Sequence, residues 1–136
     1  MHVATLTVPN RVEFVRPVTL FLVSAAKALD VSAAHSAVFE VAVSEAITNA
    51  VKHGRSDTDA SITCEMHIDD RTLTLRIISE AEGFRLPKVQ LPDISRERID
   101  AIPSSGYGLP IIHTVFSNVR VIEVDGRFGV ELAIDY

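Results

Sequence analysis

Residues 61–68, "SITCEMHI", and 72–78, "TLTLRII", alternate apolar and polar side chains, and only Asp69, Asp70 and Arg71 separate them. Three residues cannot carry a chain into a parallel neighbour, so the two strands must form an antiparallel hairpin. The C-terminal run repeats the device, with "VRVIEV" and "FGVELAID" flanking "DGR". Its Asp-Gly step suits a tight turn. At the other end of the chain, "HVATLTV" alternates in the same way and stops at Pro9, which predicts a further short strand.

Between these strands the apolar spacing changes to about 3.6 residues. "VEFVRPVTLFLVSAAKALD" predicts a helix from about Pro17 to Leu29, with Asn10 as a cap ahead of it. "VSAAHSAVFEVAVSEAITNAVKHG" predicts a second long helix, capped by Ser32 and ended by Gly54 in the left-handed conformation. "GLPIIHTVFSN" gives one short helix. From Ser79 to Tyr107 the pattern disappears, and Pro87, Pro92 and Pro103 interrupt a segment too long for an ordinary connection. The order is strand, helix, helix, two strands, long connection, helix, two strands. It points to an α+β sandwich, a mainly antiparallel sheet with helices on one face.

The chain has 136 residues, 47% of them apolar, which suits one domain with a single core over 1–136. A net charge of −5, with thirteen dispersed Lys and Arg residues, argues against nucleic acid as a partner. No segment approaches the roughly 18 uninterrupted apolar residues of a membrane span, and "MHVATLTVPNR" lacks a basic region followed by a long apolar stretch. A cytoplasmic protein without membrane contact is expected. Cys64 stands alone, which excludes an internal disulfide framework and predicts a small buried side chain. His2, His35, His53, His67 and His113 show no metal-ligand spacing.

On the second helix, Phe39, Val43, Ile47 and Ala50 form a face suited to a sheet, and Ala42, Glu45, Asn49 and His53 form an adjoining line. An unpartnered buried carboxylate is costly. The line therefore faces solvent, with Glu45 pairing to a cation such as Lys52, or it surrounds something polar. Two other stretches bear on that choice. "SEAEGF" at 79–84 follows a strand, and "SSGYGLPII" at 104–112 precedes a helix. Gly106 and Gly108 permit close approach of the backbone to a ligand, and the start of the following helix offers free N–H groups to an anion.

Taken in order, "EAITNAVKHG", "SEAEGF" and "GYGLPIIHTVF" resemble the N, G1 and G2 boxes of the GHKL (histidine-kinase-like) ATPase superfamily, in particular its small anti-sigma-factor serine kinases. The resemblance covers nearly the whole chain and implies the Bergerat ATP-binding fold, with residues 82–105 in the place of the ATP lid. It implies Glu45 as general base and Asn49 as ligand of Mg²⁺, with Lys52 and His53 near the phosphate end of bound ATP. The two also suit a helix C-terminus as ordinary charged residues. Gly106, Tyr107, Gly108 and Leu109 fall on the phosphate-binding G2 box. The implied partners are a sigma factor and a STAS-domain anti-anti-sigma factor, and the implied assembly is a homodimer.

The adenine end departs from the family pattern. Counting back from Gly83, Ser79 stands where the family has its adenine-binding aspartate and Ala81 where it has a glycine. A turn shifted by one residue would offer Glu80 instead. In the closing hairpin, Phe128 takes the position of a threonine, either to stack on the base or to fill its space. Two functions follow from these residues: an ATP-dependent protein-serine kinase that sequesters a sigma factor, or a module of the same fold that works by protein contact without nucleotide.

Overall fold

The computed structural model describes residues 1–54, 59–80 and 108–136. Five strands, β1 (His2–Pro9), β2 (Ser61–Asp69), β3 (Thr72–Ser79), β4 (Asn118–Val124) and β5 (Arg127–Asp135), make one sheet in the order β1-β2-β3-β5-β4. Each of these pairings is antiparallel. Both hairpins form where the short connections require them. Asp70 (φ 49°), Asp125 (φ 53°) and Gly126 (φ 77°) take the left-handed conformation at the turns, which Asp and Gly tolerate better than most residues.

The register sorts side chains by face. Leu73, Leu75 and Ile77 of β3 lie opposite Ile134, Leu132 and Val130 of β5, and opposite Ile68, Met66 and Cys64 of β2. This is the apolar face, and Met66, Leu73, Leu75 and Leu132 are wholly buried on it. It is covered by α1 (Val15–Ala28), α2 (Ala37–His53) and α3 (Gly108–Val115). Val18, Leu22, Val23 and Ala26 of α1 and Phe39, Val43, Ile47 and Ala50 of α2 supply the buried stripes. The α+β sandwich expected from the alternation is therefore present, and Cys64 is the small core residue its isolation suggested. Burial pushes the Cys64 thiol up to about 12.

The other face is polar. One row crosses four strands as Glu65, Arg76, Glu131 and Arg120. Arg120 Nε donates to Glu131 Oε1 at 2.7 Å, and Arg76 Nε donates to Oε2 at 2.8 Å. Burial of Glu131 raises its pKa, but the hydrogen bonds and charges of Arg120 and Arg76 outweigh this and hold it below the ordinary 4.5. A carboxyl whose pKa is lowered by folding contributes stability above its unfolded value and loses it as pH falls through the folded value. Glu131→Gln is expected to cost about 1–2 kcal/mol at neutral pH, limited by the solvent exposure of both arginines. As pH falls below the ordinary glutamate value and through the lowered folded one, the difference from wild type should close. Urea unfolding at a series of pH values measures it, and a constant difference down to pH 2 would contradict the assignment.

Several local expectations change. The main helix begins at Val15 rather than Pro17, because a proline at the third helical position forfeits only an N–H that has no helical partner. The second helix is not continuous from Ser32. Residues Ser32–His35 form a separate 3-10 turn, and Ser36 caps α2 by accepting a hydrogen bond from the Val38 N–H at 3.2 Å. Asn10 caps neither the 3-10 turn Val12–Phe14 nor α1, whose N-cap positions are Arg11 and Phe14. Gly54 ends α2 with φ −77° and ψ 169°, so it is not left-handed. Glycine is needed there for space, since a Cβ would come within 2.6 Å of Asn10 Nδ2 and 2.8 Å of the Ala50 carbonyl.

Candidate functional site

Three connections bring the predicted site residues to one end of the sandwich. Asn10, just after β1, packs on Gly54 and donates its N–H to the carbonyl of Ala60, just before β2, at 2.9 Å. The C-terminal end of α2 is thereby held where β1 finishes and β2 begins. Ser79 lies at that same end, opposite Ile62, and Phe128 lies opposite Ser79. The last turns of α2, carrying Asn49, Lys52 and His53, thus share one end of the fold with Ser79 and Phe128. Helix α3 leads into β4, which starts opposite Ala133 towards the other end of the sheet. Gly108 is the end of α3 turned away from that junction.

Along α2, the line of Ala42, Glu45, Asn49 and His53 runs from fully buried through half-buried to exposed. Glu45 and Asn49 are one helical step of four residues apart, about 6 Å along the axis, and both sit half-buried between core and solvent. Lys52 is exposed. Among the described residues no ion pair joins Lys52 to Glu45, so the pairing that a purely solvated face suggested is not made. Glu45 and Asn49 therefore stand one helical step apart at the rim of the core.

A groove of about 530 Å³ opens beside Glu45, between the start of α1 and α2. Val12, Arg16 and Thr19 line one side, and Glu40, Val41 and Ser44 the other. Arg16 reaches across it to Glu40 at 3.5 Å. Sequence reading missed this groove. Val12 and Val41 on its rim remain 66% and 44% exposed.

On β3, Ser79 continues the helix-facing row of Leu73, Leu75 and Ile77, whereas Glu80 falls on the opposite side by alternation. There Glu80 accepts a hydrogen bond from Ser61 Oγ at 3.4 Å. The register shift that would have offered Glu80 to the helix side is not made. Ser79 is 2% exposed, and its Oγ donates to the Phe128 carbonyl at 3.5 Å. Ser79 and Phe128, two of the departures from the family pattern, are therefore direct neighbours. Gly108 and Leu109 open α3 as expected. Ala81, Gly83, Gly106 and Tyr107, with the lid at 82–105, lie outside the described residues.

The donor set suits magnesium better than a metal caged by protein. Mg²⁺ takes oxygen ligands, keeps several waters and is usually held by one or two side chains together with phosphates. The Asn49 amide oxygen beside the Glu45 carboxylate is a set of that kind. Among the described residues no group of three or more His, Cys, Asp or Glu residues stands close enough to hold a metal.

Comparison with known proteins identifies the fold family. The family profile described as "Histidine kinase-like ATPase domain" matches residues 8–134. A serine-protein kinase RsbW of Listeria innocua is 32% identical over 126 residues, 90% of this chain and 80% of that protein. A serine-protein kinase RsbW of Oceanobacillus iheyensis is 29% identical over 127 residues, covering 90% and 78%. An anti-sigma F factor of Clostridium acetobutylicum is 30% identical over 88 residues, which span 65% of this chain and 61% of that relative. With a match over nearly its whole length, the chain belongs to the histidine kinase-like ATPase domain family.

Proposed function

We propose that the chain is an anti-sigma regulatory factor that transfers the γ-phosphate of ATP to a serine of its antagonist. The observation that carries this reading is the position of Glu45, half-buried beside Asn49 on one side and lining an open groove on the other. A pure binding module has no use for that pair. A serine entering along the groove meets the Glu45 carboxylate, which takes the hydroxyl proton as Oγ bonds to the γ-phosphorus and ADP leaves. Asn49 would hold Mg²⁺, which when bound would offset the charge of the phosphates. The free N–H groups at the start of α3 are suited to the same phosphates. Lys52, from the last turn of α2, adds positive charge at that end.

The relatives' names support a sigma factor as partner and a protein serine as target: one is an anti-sigma factor and others are serine-protein kinases. On this reading the chain sequesters a sigma factor in the cytoplasm as a homodimer and phosphorylates a single-domain antagonist of the STAS type. Among the described residues no helix is long and apolar enough to cross a membrane.

Asn49→Ala is the direct test. It removes one amide from a half-buried rim, so the fold should persist, while Mg²⁺-dependent ATP affinity falls about tenfold or more. Calorimetric titration with ATP, with and without Mg²⁺, reads the effect. Wild-type affinity in the variant would remove Asn49 from the site. Absence of ATP binding by the wild type would favour regulation by protein contact alone.

A further inference from the structure

The groove beside Glu45 has a largely uncharged lining. Val12, Val15, Ala37 and Val41 are apolar, and Thr19 and Ser44 are neutral. Apart from Glu45, its charges are Arg16 and Glu40, which pair with each other at 3.5 Å. The groove therefore asks for no charge from whatever fills it. Its apolar character continues along both helices. Val38, one turn before Val41 on α2, and Leu20, one turn beyond Arg16 on α1, both remain exposed. Single exposed apolar side chains are ordinary, but several beside one opening mark a surface for a partner.

We propose that this groove docks an extended, uncharged segment of the protein substrate and selects an apolar side chain two residues from the target serine. The inference rests on the kinase reading above. Along α2, the stretch from Ala37 to Glu45 covers about 12 Å at 1.5 Å per residue. An extended chain advances about 3.3 Å per residue, so three or four of its residues span that length. The groove volume of about 530 Å³ is in the range of pockets that enclose a small ligand. Val41 precedes Glu45 by one helical step of four residues, about 6 Å, which matches the two-residue repeat of an extended chain. Side chains two residues apart in such a chain point the same way. With the serine hydroxyl at Glu45, the neighbouring side chain turns out to solvent. The next one turns back onto Val41, with Val12 on the facing wall. A charged side chain at that position would lose water without gaining a partner, because Arg16 and Glu40 already hold each other.

Phosphate transfer from labelled ATP to short synthetic peptides, catalysed by the full chain, tests this. Each peptide carries one serine in an alanine and glycine background, with a single leucine moved along either side of it. Leucine two residues from the serine, on one side only, is expected to raise kcat/KM about tenfold over the leucine-free peptide, chiefly through KM. Aspartate or lysine at that position should bring no gain. Val41→Asp should remove the leucine preference and leave ATP affinity, read by calorimetric titration, as in the wild type. Leu20→Asp, similarly exposed but not among the lining residues, should keep the preference. Equal transfer to every peptide, a preference at another spacing, or one that survives Val41→Asp would overturn the docking inference and leave the kinase standing. So would transfer to the purified antagonist but to none of the peptides. A wild type that binds no ATP and phosphorylates neither would overturn the kinase reading itself.

Discussion

Glu45→Gln is expected to lower phosphate transfer to the antagonist serine about 100- to 10,000-fold, the usual contribution of a positioned general base, with nucleotide affinity nearly unchanged. The amide keeps the shape of the carboxylate and its place on α2, but it cannot accept the serine proton. The fold should be indifferent or slightly favoured, because a half-buried carboxylate is replaced by a neutral group of the same size. The split between turnover and binding separates a base from a structural side chain. Rate loss with intact affinity marks a group that acts only in the transition state. Single-turnover transfer from labelled ATP to the purified antagonist, set beside calorimetric titration, measures both. Transfer at the wild-type rate would remove Glu45 from the chemistry and leave the groove as a contact surface only.

Much of the fold was legible because it rests on periodicity. The alternation at 61–68 and 72–78 fixes which face of each strand is buried, and a slip of one residue would expose Leu73, Leu75 and Ile77 together. The helix boundaries were less legible, since they depend on tertiary neighbours. Gly54 reads as a left-handed stop from sequence alone, yet it is an extended residue whose missing side chain leaves room for Asn10. Nothing local to "VKHG" announces a partner more than forty residues away. Asn10 reads as a helix cap for the same reason, when its contact is with the end of another helix.

The site divides along the same line. Glu45 and Asn49 stood out because both lie on one helix, where a spacing of four sets them on a common face. The groove was hidden because it is made by two helices whose crossing no periodicity encodes. The relation of Ser79 to Phe128 was hidden because pairing across β3 and β5 joins residues from distant parts of the chain. It also brings two separate departures from the family pattern together, a hydroxyl beside a ring.

Phe116→Ala is expected to cost about 3–5 kcal/mol of stability, the range for removing a buried aromatic side chain. Phe116 is 2% exposed and packs on Phe39, itself 1% exposed, so truncation opens a cavity between α2 and the end of α3. Both neighbours are held from elsewhere. Phe39 is fixed by the sheet under α2, and the Phe116 N–H is tied to the Ile112 carbonyl at 2.9 Å, which limits how far the gap can close. The loss is a large share of the roughly 5–15 kcal/mol that holds a domain of this size. It should also reach the nucleotide, because Phe116 anchors the helix whose other end is Gly108. Urea unfolding of Phe116→Ala, Phe39→Ala and the double variant gives the coupling of the pair, with the double variant expected to cost about 0.5–1.5 kcal/mol less than the sum of the two single losses. ATP affinity of Phe116→Ala should fall more than that of a distant core truncation of equal cost, such as Leu73→Ala at the far end of β3. Equal affinities in the two variants would show that α3 is not placed by this contact.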